Sequence, residues 1–114
     1  MSKLFAIAIP ILPDKMEEWK DFVKGLSGKW RNEYKASREK MGVRERTFHQ
    51  HTPMGDFVVV TLEGENPEKA FQSFGTSNDE FTKWFVQGVK NAHGVDLTQP
   101  PPGALPSLIV DSAS

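Results

Sequence analysis

Three histidines are the residues of this chain best suited to move a proton near neutral pH. His49 and His51 stand two apart in Thr47-Phe48-His49-Gln50-His51. On extended backbone that spacing puts both rings on one face. With a third ligand they could hold a metal ion as neutral imidazoles. Glu45 shares their side but sits further along, and no fourth ligand follows, so no metal is expected. His49 is a candidate general base, and His51 a polar contact for a ligand. The plainer reading is a solvated strand edge. His93 precedes Gly94-Val95 at a helix end, where a partly cationic ring gains about 0.3–1 kcal/mol. If a pocket opens at that end, His93 is the first candidate for a catalytic group. Asp96 then either orients its ring or caps the next turn. Arg31 and Arg38, seven apart on one side of a helix, either hold an anionic group or pair with glutamates.

A second set of residues could hold carbon rather than move protons. Trp30, Tyr34, Trp84 and Phe85, with Phe71, Phe74 and Phe81 at the rim, suit a planar or fatty organic ligand. The same residues could simply fill the core, as aromatic stripes at helical spacing usually do. There is no cysteine, which removes disulfides, thiolate metal sites and cysteine nucleophiles. Glycine-rich phosphate loops and nucleophile elbows are missing too, so no cofactor is expected.

The elements that must position these residues follow from the pattern. Leu4 to Ile11 is apolar at consecutive positions and reads as a strand buried on both faces, with Pro10 near its end. Asp14 is expected to cap a helix with Glu17 at the capping-box position. Met16, Trp19, Phe22, Val23, Leu26, Trp30 and Tyr34 then form one stripe of a long helix reaching about Met41. Gly25 and Gly28 weaken its middle by about 1 kcal/mol each. Gly42 ends it. A hairpin follows, with a polar arm Val43–His51, a turn Thr52-Pro53-Met54-Gly55, and an apolar arm Asp56–Glu63. Asn66 with Pro67 starts a short helix that Gly75 stops. Ser77, with Glu80, is expected to start the next, which Gly94 ends. Gln99–Gly103 is a stiff connector, Pro106–Asp111 a last strand, and Ser112–Ser114 a frayed tail.

Strand, helix, strand, strand, split helix, strand is the ferredoxin-like βαββαβ order of an α+β fold. Its four-stranded antiparallel sheet would carry the first and third strands in the middle, with the helices layered on one face. The apolar strands are indeed the first and third. Both faces of these strands are apolar, so the face away from the helices needs a cover. The expected cover is a second copy, making a homodimer through the sheet face. Residues 1–114 are read as one such domain.

Hydrophobic residues make up 38% of the chain and charged residues 25%, with a net charge of −1. That balance favours neither nucleic acid nor membrane as a partner. The eight-residue apolar opening is too short for a signal or a membrane span, so the expected compartment is the cytoplasm.

Phe5-Ala6-Ile7-Ala8-Ile9-Pro10-Ile11-Leu12-Pro13 resembles the opening of small bacterial proteins of the dimeric α+β barrel superfamily. Gly55–Val60, Phe81–Phe85 and His93-Gly94-Val95-Asp96-Leu97-Thr98-Gln99-Pro100 resemble them too. The resemblance covers nearly the whole chain. It implies the dimeric barrel fold and, in many relatives, a hydrophobic pocket between sheet and helices. That superfamily includes cofactor-free monooxygenases, haem-degrading enzymes, isomerases and cyclase-like proteins. The Asn, Trp and His of its haem-degrading members have no residue-by-residue match here. The resulting expectation is a protein that binds a small apolar molecule. A cofactor-independent oxygenase, isomerase or cyclase stands close behind, and a ligand-free structural dimer third.

Overall fold

The computed structural model describes residues 2–101 and 103–113. Pro102 of the expected connector and Ser114 of the expected tail lie outside them. The order of elements is β1 (Lys3–Pro10), α1 (Met16–Ser27), α2 (Arg31–Lys40), β2 (Val43–Thr52), β3 (Gly55–Gly64), α3 (Pro67–Gln72) and α4 (Glu80–His93). The strands form an antiparallel sheet in the order β1-β3-β2. The fold is therefore α+β, with four helices among the described residues. None of these helices is long and apolar enough to cross a membrane.

The hairpin sets the register. Thr52 pairs with Gly55 across a two-residue loop, Pro53-Met54. The Thr52 hydroxyl donates to Gly55 O at 2.7 Å and accepts from Met54 N at 3.1 Å. Gly55 takes the expected positive φ, 120°. From there Val58, Val60 and Leu62 stand opposite Ile9, Ile7 and Phe5, all on the helix-covered face. Phe5 and Leu62 join Phe22, Phe74, Phe81, Phe85 and Val89 in the core. Phe57 and Val59 point to the other face.

That other face is apolar near the hairpin and mixed at its far end, where Leu4 is 64% exposed. Near the hairpin Ala8, Val59 and Phe48 form a cross-strand row, and Phe48 is 55% exposed. Towards the far end the face carries Thr61 and an Arg46–Glu63 ion pair of 3.2 Å.

Three local expectations differ from the structure. The single long helix is two, broken at Gly28-Lys29-Trp30, where Trp30 N turns back to Gly25 O at 2.8 Å. Asp14 does not cap α1: it takes φ 65° in the turn before the helix, Lys15 holds the N-cap position, and no side chain bonds there. Asp is among the few residues that enter this region readily. Asp79, not Ser77, caps α4, accepting from Thr82 N at 2.8 Å, while Ser77 donates to the same carboxylate at 2.5 Å. Asn66 caps α3 as expected, and Gly94 ends α4 at φ 72°.

The expected fourth strand, Pro106–Asp111, carries no strand pairing. It lies beside the outer edge of β1, across a cleft of about 1130 Å³. Leu108, Ile109 and Val110 are 75%, 84% and 80% exposed. The apolar pattern is present in the segment, but no backbone ladder holds it. Within the chain, β1 is thus an edge strand rather than a middle one.

Two glycines let α1 and α4 approach. A Cβ on Gly25 would lie 2.5 Å from the Trp84 ring, and one on Gly88 would run into the Phe22 ring. Phe22 and Trp84 stack with centroids 5.1 Å apart in the space so made.

Candidate functional site

Pairing with β3 decides which polar residues of β2 turn inward. Glu45, Thr47 and His49 stand opposite Leu62, Val60 and Val58, so they face the helices. Arg44, Arg46, Phe48 and Gln50 face away. Glu45 lies deepest. Opposite it, α2 presents Tyr34 and Arg38, one helical turn apart.

Arg38 Nε donates to Glu45 Oε1 at 2.6 Å, and the two side chains are only 6% and 5% exposed. Arg38 Nη1 donates to Ser37 Oγ at 3.0 Å. The guanidinium carbon lies 3.8 Å from the centroid of Phe74, 4.7 Å from Phe85 and 5.1 Å from Tyr34. Nη2 is buried with no hydrogen-bond acceptor among the described residues. Burial, and then the nearby Glu45 carboxylate, hold the Tyr34 phenol far above its ordinary pKa; Arg38 opposes them. Tyr34 therefore stays protonated beside Glu45.

Two spaces meet at this cluster. A groove of about 470 Å³ runs between the end of α1, α2 and the start of β2, lined by Leu26, Arg31, Tyr34, Arg38, Val43 and Glu45 among others. Behind it, between sheet and helices, lies a cavity of about 50 Å³. Trp19, Phe71, Phe85, Val89 and His93 line the inner cavity, and Leu26 and Glu45 line both spaces. The inner cavity has room for about one or two waters, each taking roughly 30 Å³.

His93 is buried, at 7% exposure, and its Nδ1 lies 2.7 Å from Pro10 O. A carbonyl only accepts, so Nδ1 carries the proton and Nε2 is the basic nitrogen. Burial lowers the His93 pKa below its ordinary value, with the Pro10 bond opposing. The ring is thus a fixed, neutral imidazole. Asp96 does not orient it: the Asp96 carboxylate accepts from Thr98 N at 2.9 Å and Thr98 Oγ1 at 2.6 Å, capping the turn.

His49 and His51 meet at Asp56. His49 Nε2 is 2.8 Å and His51 Nδ1 is 3.0 Å from the same oxygen, Asp56 Oδ1. These bonds, His49's first, hold the Asp56 carboxyl below its ordinary pKa. His51 is 80% exposed at its side chain, and His49 38%. Trp19 stands between His49 and the inner cavity, its ring 5.0 Å from the imidazole. No group of three His, Cys, Asp or Glu suited to a metal ion occurs among the described residues.

The expected aromatic lining divides. Tyr34 lines the groove, and Phe71 and Phe85 line the inner cavity. Trp30, Phe81 and Trp84 pack on one another with ring centroids 5.6–6.1 Å apart and line neither space. The structure thus brings His93 together with Phe71 and Phe85, and leaves His49 and His51 in a separate surface cluster. The residue that sequence reasoning undervalued is Glu45. Its position four before His49 on a strand already placed it on the inner face, but nothing in the sequence measured its depth. Set against known proteins, the chain matches no family model, no curated protein and no solved structure.

Proposed function

We propose that this protein binds a small apolar organic molecule, fatty or aromatic, between its sheet and its helices. The observation that carries the reading is the groove at Leu26, Tyr34 and Val43, which opens onto the sheet–helix interface and shares Leu26 and Glu45 with the inner cavity. Its volume, about 470 Å³, falls in the range of about 300–1,000 Å³ that small-molecule sites occupy. The inner cavity alone is too small, so a bound molecule displaces Leu26 or shifts α2.

The reading extends to a homodimer with ferredoxin-like, dimeric α+β barrel architecture. The strand order β1-β3-β2 leaves β1's outer edge open where a fourth strand would lie, with the apolar segment Pro106–Asp111 beside it. The row Ala8, Val59, Phe48 on the sheet's far face is the surface a second copy would cover. The resemblance of the first strand and of His93–Pro100 to that superfamily points the same way.

A second reading rests on His93. A neutral imidazole fixed through Nδ1 and lining a cavity with Phe71 and Phe85 is equipped to act as a general base. That would suit a cofactor-independent oxygenase, isomerase or cyclase. A filled core with no ligand is the third reading.

Native mass spectrometry of protein purified without added ligand tests the first reading: an apolar molecule should co-purify and be released on denaturation. A chain that carries nothing and gains no thermal stability from an apolar compound library would exclude the first two readings together. With a ligand in hand, His93→Gln separates them, changing affinity modestly for a binder and abolishing turnover for an enzyme.

A further inference from the structure

We infer that the groove between α2 and the start of β2 recognises an acid group, and that the ligand is an apolar organic acid whose carboxylate takes the free N–H groups of Arg38 Nη2. This rests on the reading that the groove binds a small apolar molecule, and adds the chemistry that selects it.

The argument starts from donors. A guanidinium has five N–H groups, all of which seek acceptors. Arg38 satisfies Nε with Glu45 and Nη1 with Ser37. Nη2 has no acceptor among the described residues, although the side chain is only 6% exposed. Phe74 and Phe85 lie against the guanidinium carbon and offset its charge, but their rings offer no lone pair. Glu45 likewise balances the charge without meeting Nη2. A buried donor left in this state favours any acceptor that can reach it.

The groove's edge decides the kind of acceptor. Arg31 and Lys35 stand exposed around it, against the single exposed carboxylate of Glu39. An anion entering beside Glu45 needs that excess of positive charge. The inner walls are carbon: Leu26, Val43 and the Tyr34 ring. One free donor group, a cationic rim and apolar walls fit a singly charged head on a hydrocarbon or aromatic body. A phosphate would bring more charge and more acceptors than Nη2 can meet.

The test compares 2-naphthoate with 2-naphthalenemethanol by calorimetry on the full chain. Naphthoate should bind about tenfold or more tightly than the alcohol, the worth of a charge-assisted hydrogen bond. In the double variant Arg38→Met with Glu45→Leu, which removes both buried charges at once, the preference should vanish, with the two probes binding within about twofold of each other. Equal binding of the two probes to the wild type would overturn the acid site and leave the apolar groove intact. A preference that survives in the double variant would overturn it too, assigning the effect to the rim cations. Binding of neither probe would remove the groove as a ligand site altogether. Should the double variant not fold, the wild type with nitrogen-15-labelled arginine still decides. The Arg38 side-chain signals should move with naphthoate and stay put with the alcohol; unmoved signals in both titrations overturn the inference.

Discussion

Two of the hairpin's carboxylates meet cationic or potentially cationic partners at opposite ends of it. Glu45 meets Arg38 at 2.6 Å, and Asp56 meets His49 and His51 at 2.8 and 3.0 Å. The geometries are alike. The surroundings are not: Glu45 and Arg38 are 5% and 6% exposed, whereas His51 is 80% exposed. Water does at Asp56 what Arg38 must do at Glu45. A charge in the interior depends on its one partner, while a charge at the surface exchanges partners with solvent. Similar hydrogen-bond lengths therefore describe a structural commitment at one end and a solvated arrangement at the other.

The strongest way to break this contrast is to remove one buried partner. Glu45→Ala should destabilise the fold by about 3–5 kcal/mol, measured by urea denaturation, because it strands the Arg38 charge. Asp56→Asn should leave the denaturation midpoint nearly unchanged; equal losses for the two would show that burial is not what separates them. The double variant Arg38→Met with Glu45→Leu should recover most of the Glu45→Ala loss, since similar apolar volume replaces both charges.

A smaller effect comes from pH. Burial holds the His93 pKa below the ordinary 6.5, so the unfolded chain takes up a proton that the folded ring does not. Stability from this group is full above 6.5 and falls as pH drops from there towards the folded value. Asp56, Asp79 and Asp96 are held below the ordinary 3.8, and their contribution is lost only as pH falls through their still lower folded values. Denaturation midpoints should therefore decline first just below neutrality, and that first decline should flatten in His93→Gln. A decline that begins only near pH 4 in the wild type would contradict the buried, neutral ring. The smallest effect is that of salt: raising ionic strength should disturb the His51–Asp56 contact, seen in the His51 ring NMR signals, while leaving stability differences at Arg38–Glu45 in place.

Local signals in the sequence that involve only neighbours were legible. Asn66 before Pro67 caps α3, Gly94 ends α4 and Thr52-Pro53-Met54-Gly55 turns the hairpin, because each device is completed within a few residues. Asp14 and Ser77 carried equally good cap patterns and do not cap. The turn from Leu12 to Lys15 rotates Asp14 away, and Asp79, two residues after Ser77, takes the place at the helix end. The aromatic residues were legible as a group, but not their division between stacking on one another and lining a space.

The sequence by itself determined the first three strands, the helical segments, the hairpin turn and the polar character of β2, since these depend on residue type and on a period of two or 3.6. Only the tertiary structure decided that Glu45 is buried while His51 is wet, that Arg38 reaches Glu45 with one nitrogen to spare, and that Pro106–Asp111 lies beside β1 without joining it. Depth, and the company a charge keeps there, arise from segments far apart in the chain closing over one another. No window of neighbouring residues contains that information.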